Sequence, residues 1–253
     1  MKLKNKKIIV TGGSGGIGSI ITEMLLSNGA IVGCIDQNQE SLDILSDKNK
    51  SYLKNFKTYC IDIKNSESVT SMVSEFYDEF GEIDVLVNNA AILDDCLLVS
   101  IFGGKVTKHP IDRWNNTIET NLTSYFVFTR EVTEKMILKR TKGLILNISS
   151  ISSSGNSGQS SYSASKAAIN ALTVTWSQEL SRFGIRVAGI SPGMTDTAMP
   201  RTSMNDSMLK EWIEKTPINR MATPEEIAHS AKYIIENEFF CGRILEIDGG
   251  LRM

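Results

Sequence analysis

Short apolar runs recur along the chain at 7–10, 30–35, 56–61, 83–87, 144–148, 185–190 and 244–247, most of them rich in Ile, Val and Leu. Runs this short, bounded by polar or Gly-containing stretches, read as strands covered on both faces. Between them, apolar residues fall three and four apart, as in Ile17, Ile20, Ile21, Met24 and Leu25, or Val69, Met72, Val73, Phe76 and Phe80. That is the period of a helix with one buried face. Strand–helix alternation calls for right-handed crossovers, and so for a parallel sheet with helices on both sides. The expectation is a single α/β domain over residues 1–253, built on a doubly wound, mostly parallel sheet of seven strands. Such sheets bind ligands beyond the carboxyl ends of their strands. Positions 11–18, 36, 62–63, 88–91, 149–162 and 191–200 are therefore the places to look for chemistry.

Composition narrows the partners. The 27 basic and 29 acidic residues nearly cancel, so no basic excess points to nucleic acid. An apolar share of 41% is enough for a substantial core. No apolar run approaches the roughly 18 residues of a membrane span. Ile8-Ile9-Val10 is too short for the apolar stretch of a secretory signal. A cytoplasmic protein without a membrane partner is expected. Cys34, Cys60, Cys96 and Cys241 are widely spaced; without a C-x-x-C pair they read as reduced, buried thiols.

The first strand runs into Thr11-Gly12-Gly13-Ser14-Gly15-Gly16-Ile17-Gly18, and a helical pattern follows at once. Glycines there let backbone N–H groups approach a pyrophosphate, and the helix N-terminus adds partial positive charge. Two registers fit: Gly13-x-Gly15-x-x-Gly18, and Thr11-Gly12-x-x-x-Gly16-x-Gly18. A glycine-rich turn alone is a weak signal, but this one has the strand–turn–helix context that dinucleotide binding requires. Asp36 closes the second strand, eighteen residues after Gly18. An acid there can accept from an adenosine ribose and repels a 2′-phosphate. No Arg or Lys lies in the glycine turn or at 37–39, so NAD is expected over NADP. Asp36 could also cap the next helix.

The fifth strand ends in Asn147-Ile148-Ser149-Ser150, and a polar loop leads to Tyr162-Ser163-Ala164-Ser165-Lys166. Tyr162 and Lys166 are four apart, on one helical face. A free tyrosine titrates near 10, too high for ready proton exchange near neutrality; a lysine cation beside it favours the phenolate. Tyr-x-x-x-Lys is common by chance. Its weight comes from following strand five of a nucleotide-binding sheet.

These motifs, in this order, resemble the short-chain dehydrogenase/reductase family over nearly the whole chain. The resemblance rests on the Thr11–Gly18 turn in its second register, Asp62-Ile63, Asn88-Asn89-Ala90-Ala91 and Asn121 in Glu119-Thr120-Asn121-Leu122. It continues through Asn147-Ile148-Ser149-Ser150, the tyrosine–lysine pair, Ser191-Pro192-Gly193 and Asp248-Gly249-Gly250. The segment 155–162 and Thr223-Pro224-Glu225-Glu226-Ile227-Ala228 bring it nearest to the 3-oxoacyl-acyl-carrier-protein reductase branch. The resemblance implies a Rossmann-type fold and hydride transfer between NAD and a small-molecule carbonyl/alcohol substrate. In it, Tyr162 is the acid/base, Lys166 tunes Tyr162 and holds the nicotinamide ribose, a serine after strand five binds the substrate oxygen, and Asn121 anchors a relay water. Gly12, Ser14, Gly16, Ile17 and Gly18 would form the phosphate turn. Asp62 and Ile63 would meet adenine, and Asn89, Ala90 and Ala91 would line the ribose. Pro192, Gly193, Thr195 and Thr197 would lie along the nicotinamide. A homotetramer, or a dimer, is implied through helices near 110–140 and 160–183 and the C-terminal strand, although Tyr125, Phe126, Phe128 and Trp176 could equally be core. A non-catalytic NAD-binding sensor and a sugar-nucleotide epimerase are the competing readings; the full catalytic set and the absence of an added substrate domain speak against them.

The chain departs from the family pattern in places. The usual serine-to-tyrosine spacing of thirteen selects Ser149, whereas the Asn-Ile-Ser-Ser pattern selects Ser150, twelve before Tyr162. Ser150 is preferred, because shortening a loop by one residue costs less than turning a buried strand's side chains to the other face. Ala91 stands where glycine is common. The stretch 93–112 is longer than usual and reads as a rim over the substrate or as a surface or subunit contact; its His109 is given no catalytic role. The Met-rich stretch 194–217 resembles the family's mobile substrate lid, with ordinary helix packing as the alternative.

Overall fold

The computed structural model describes residues 1–252; Met253, the last residue of the expected domain, lies outside the described residues. Seven strands form one parallel sheet in the order β3-β2-β1-β4-β7-β8-β9. In chain order the elements are β1 (Lys7–Thr11), α1 (Gly16–Ser27), β2 (Ile31–Asp36), α2 (Gln39–Lys48), β3 (Phe56–Cys60), α3 (Ser66–Phe80) and β4 (Val85–Asn88). A small hairpin, β5 (Val99–Phe102) and β6 (Lys105–Lys108), precedes α4 (Ile111–Ile118), α5 (Ser124–Lys139) and β7 (Leu144–Ile148). Then come α6 (Ser160–Leu180), β8 (Arg186–Pro192), α7 (Ala198–Ser203), α8 (Asp206–Lys215), α9 (Pro224–Glu236) and β9 (Ile244–Ile247).

The sheet divides two apolar layers. Successive residues of a strand point to opposite faces, so Ile8 and Val10 pack with Leu25, Leu26, Ala231 and Ile234 of α1 and α9, while Ile9 packs with Val73, Phe76 and Val132 of α3 and α5. Burial on both faces explains why the strands read as continuous apolar runs. Each buried Ile or Leu contributes about 1.5–3 kcal/mol. Gly33 of β2 is required by this packing, since a Cβ there would lie 2.8 Å from the Phe76 ring. The β1–β4 pairing, where the strand order reverses, opens the crevice at the carboxyl ends.

Three expectations need adjustment. The run at 83–87 becomes a strand only from Val85, because the buried Asp84 accepts from Lys6 Nζ at 2.7 Å and from the Lys7 amide at 2.9 Å. The segment 93–112, for which the sequence pattern predicts no elements, contains the antiparallel β5–β6 hairpin. Gly103 and Gly104, at φ +56 and +76, make its two-residue turn, and both being positive favours glycine. Cysteine burial holds only in part: Cys34 is buried and Cys96 half-buried, but Cys60, at the end of the edge strand β3, and Cys241, in the connection from α9 to β9, are exposed. No helix among the described residues is long and apolar enough to cross a membrane.

Candidate active site

The carboxyl ends of the strands border a cleft of about 510 Å³. At one end is the glycine turn. Gly12 and Gly16 have φ of +60 and +41, a region that suits glycine. A Cβ on Gly12 would lie 2.8 Å from Ala90 Cα, and one on Gly18 would lie 2.1 Å from the Gly12 carbonyl oxygen. Gly12, Gly16 and Ile17 border the cleft. Gly18 does not; it lets α1 pack tightly under the turn. The N-cap of α1 is Gly15, whose first turn carries neither a side-chain cap nor an acid, so its leading N–H groups are free for an anion. Ser14 is not a wall residue, but its amide donates to Asp36 Oδ2 at 3.4 Å and its Oγ is buried without a partner among the described residues. Asp36 borders the cleft and is not the cap of α2; that role falls to Asn38, whose Oδ1 accepts from the Ser41 amide at 3.0 Å.

Asn89 braces this end. Its Nδ2 donates to the Thr11 and Gly12 carbonyls, both at 3.0 Å, and its amide donates to Thr11 Oγ1 at 3.0 Å. Ala90 and Ala91 continue the wall, with Asp62 and Ile63 beyond β3. Lys64 joins them: its Nζ donates to Asn116 Oδ1 at 3.0 Å and lies 4.0 Å from Asp62. On the far side Pro192, Gly193, Thr195 and Thr197 border the cleft, and the Thr197 side chain closes over Gly16.

The other end is built by β7 and α6. Ser149 and Ser150 both touch the cleft, but their hydroxyls differ. Ser149 Oγ donates to the Lys166 carbonyl at 3.2 Å. Ser150 Oγ accepts from the Ser152 amide at 3.1 Å and lies beside the Tyr162 phenol. Burial raises the Tyr162 pKa; the neighbouring Ser150 hydroxyl opposes this, and the Asp95 charge adds to it. Burial also pulls Lys166 down to about 7. Its Nζ donates to the Ile148 carbonyl at 2.8 Å and to Tyr125 Oη at 3.4 Å, and lies 5.7 Å from the Tyr162 ring centre. Without a ligand, desolvation therefore dominates both groups, and the phenol stays protonated near neutrality.

Asn121 is fully buried and does not border the cleft. It lies in a one-turn π-helix, Glu119–Thr123, between α4 and α5, a feature common at functional sites. Its Oδ1 accepts from the Ile92 amide and its Nδ2 donates to the Ile92 carbonyl, both at 2.8 Å. The side chain is thus a clamp on the segment after β4.

Sequence reasoning missed several parts. Asn88 and Asn147 are register partners on β4 and β7. Asn88 Nδ2 donates to Thr129 Oγ1 at 3.1 Å and to Asn147 Oδ1 at 2.9 Å, and Asn147 Nδ2 donates to Thr173 Oγ1 at 2.9 Å. This buried chain ties the two strand ends to α5 and α6. Gln159, buried at the foot of α6, donates to Asp95 at 3.4 Å, and the Cys96 amide donates to the Gly158 carbonyl at 2.7 Å. These links fasten the hairpin segment to the catalytic helix. Their sequence signal is slight, because a polar residue inside an apolar run reveals nothing of its partner. Over the cleft, Met194, Met199, Met204 and Trp212 form an apolar wall, while Met208 faces outward.

The short chain dehydrogenase family model matches residues 6–207. The chain belongs to the short-chain dehydrogenase family. It is 37% identical to the 3-oxoacyl-[acyl-carrier-protein] reductase FabG of Chlamydia muridarum, with 98% of each chain covered. It is 31% identical to a 3alpha-hydroxysteroid dehydrogenase of Mediterraneibacter gnavus, covering 100% of this chain and 99% of that one. A crystal structure of a short chain dehydrogenase from Bacillus anthracis superimposes with a TM-score of 0.88 at 28% identity, over 99% of this chain and 97% of that one. As a short-chain dehydrogenase this protein is an oxidoreductase working between an alcohol and a ketone with a nicotinamide cofactor. The residues present fit that cofactor: a glycine turn with no room for side chains at Gly12 and Gly18, unpaired helix N–H groups, and the orphaned Ser14 hydroxyl.

Proposed function

We propose that the protein interconverts a ketone and a secondary alcohol with NAD(H), using Tyr162 as acid/base. The observation that carries this is one cleft bordered by the glycine turn, by the Tyr162 phenol and by Ser150 beside it, with the Lys166 ammonium buried behind. When bound, the nicotinamide supplies or accepts the hydride. Gly12, Ser14, Gly16, Ile17 and Gly18 form its phosphate turn, Asp36 accepts from the adenosine ribose, and Asp62 with Ile63 flank the adenine. Asn89, Ala90, Ala91 and Lys166 hold the ribose side, and Pro192, Gly193, Thr195 and Thr197 the nicotinamide side. Tyr162, kept protonated by burial, donates its proton to the substrate oxygen during reduction and recovers it during oxidation. Ser150 hydrogen-bonds the same oxygen, where negative charge develops. Lys166 favours the transient phenolate, and Asn121 acts by holding the Ile92 segment and the π-turn.

Asp36 supports NAD over NADP, since its carboxylate would face a 2′-phosphate; Lys64, the nearby cation of the wall, is engaged with Asn116 and Asp62. A 3-oxoacyl thioester is the first substrate to try. The methionine and tryptophan wall suits an acyl chain, and the full-length likeness to 3-oxoacyl reductases supports it. The residues 93–112 and 194–217 act as rim and lid of one domain. A cytoplasmic homotetramer, or a dimer, belongs to the same reading: Phe126 and Leu138 of α5 are 48% and 70% exposed, whereas Tyr125, Phe128 and Trp176 are core.

The test is turnover of 3-oxoacyl thioesters and a panel of ketones with NADH and NADPH, with and without Tyr162→Phe. A general acid contributes about 10²–10⁴ in rate, so the variant should lose that much. Undiminished turnover by the variant refutes the assignment. Tight NAD binding without any turnover would favour the sensor reading.

A further inference from the structure

Tyr125 is 1% exposed, sits near the start of α5 and has no surface on the cleft. Its hydroxyl donates its single proton to the Ile148 carbonyl at 3.2 Å. The lone pairs of that oxygen are then left to accept from Lys166 Nζ, 3.4 Å away. Lys166 donates to the same Ile148 carbonyl at 2.8 Å, which closes a triangle of phenol, ammonium and carbonyl directly before Ser149-Ser150. The ammonium also lies 5.2 Å from the Tyr125 ring centre and 5.7 Å from that of Tyr162. It is held between two tyrosine rings, one belonging to the cleft and one to the core. An aromatic face attracts a desolvated cation, and a hydrogen bond to a charged group is among the stronger kinds.

We propose that Tyr125 is a positioning residue that keeps Lys166 an ammonium aimed at Tyr162, so that it sets the pH range over which Tyr162 exchanges its proton. It touches neither substrate nor cofactor and acts only through Lys166. The proposal rests on the assignment of Tyr162 and Lys166 to proton transfer. Burial keeps Tyr125 itself a neutral phenol well beyond physiological pH, so it is a fixed acceptor rather than a second acid. The groups that face the ammonium are Tyr162 from its own helix, Tyr125 from α5 and the Ile148 carbonyl from β7; Asp95, from the segment after β4, acts on Tyr162. Burial already brings Lys166 to about 7, so losing one acceptor moves its titration below neutrality and leaves the side chain mostly uncharged at pH 7.

Tyr125→Phe keeps the ring and removes the acceptor. Titration of Lys166 in the ligand-free protein, followed by NMR of 13C-labelled lysine and assigned with Lys166→Met, should show the midpoint falling by about one pH unit. That fall corresponds to about 1.4 kcal/mol, near the low end for a hydrogen bond to a charged group. At pH 7 the ammonium fraction would drop from about half to about a tenth, so kcat should fall about fivefold at unchanged KM, with recovery at lower pH. A midpoint indistinguishable from wild type, or a moved midpoint with an unmoved kcat profile, overturns the proposal. Because the titration needs no turnover, it decides the role of Tyr125 even if the wild type proves inactive, a result that would count against the proposed function instead. A thermal melt coincident with wild type shows that the variant is folded.

Discussion

Replacing Lys166 by Met should make the protein more stable and inactive. The ammonium is 1% exposed and titrates at about 7 instead of 10.5. A tenfold change in proton affinity is worth about 1.36 kcal/mol, so charging Lys166 in the folded state costs on the order of 4 kcal/mol at pH 7. The sign follows from a folded pKa below the unfolded one. The penalty is full below about 7, shrinks as pH rises, and vanishes above 10.5, where lysine is neutral in both states. Met fills similar volume without a charge, and the Ile148 carbonyl keeps the Tyr125 hydroxyl as donor, so no buried acceptor is stranded. Denaturant unfolding of the ligand-free protein at pH 6, 7, 8 and 9 should show Lys166→Met ahead by about 2–4 kcal/mol at the lowest pH. That lead should narrow as pH rises. A variant less stable than wild type at pH 6, or a difference flat in pH, would refute the view that burial dominates this lysine.

The two serines should separate sharply. Ser150→Ala removes a donor at the substrate oxygen and should lower kcat by about 10²–10³, whereas Ser149→Ala, whose hydroxyl serves the Lys166 carbonyl, should stay within a few-fold; steady-state kinetics decides, and the opposite ranking reverses the assignment. Asp36→Ser should raise NADP(H) use relative to NAD(H) by tenfold or more, on the order of 1.4 kcal/mol or above, read as the ratio of kcat/KM values. Gly18→Ala places a Cβ 2.1 Å from the Gly12 carbonyl oxygen, a clash with backbone that overpacking data put at about 1–3 kcal/mol; a lowered Tm and weakened NAD binding by calorimetry are expected together.

The sheet was legible because it is buried on both sides. Strands such as Leu144–Ile148 must then be apolar at nearly every position, and a run of that kind survives any detail of packing. The glycine turn, Asp36 and the Tyr162–Lys166 pair were legible as positions for a related reason: each is a short pattern at the end of a strand or within one helical turn. The β5–β6 hairpin escaped notice although Gly103-Gly104 signals its turn, because Val99, Ile101 and Val106 remain exposed and present no buried face to read. What only the tertiary structure decided was pairing over long sequence distances. Asn121 meets Ile92, Asn88 meets Thr129, and Tyr125 meets Lys166. Hydrogen bonds of this kind depend on where the crossovers set each helix, and a polar letter within an apolar run does not say which way it turns. The same holds for charge state: burial, a property of the whole fold, raises the phenol and lowers the ammonium, and four-residue spacing alone points only to their proximity.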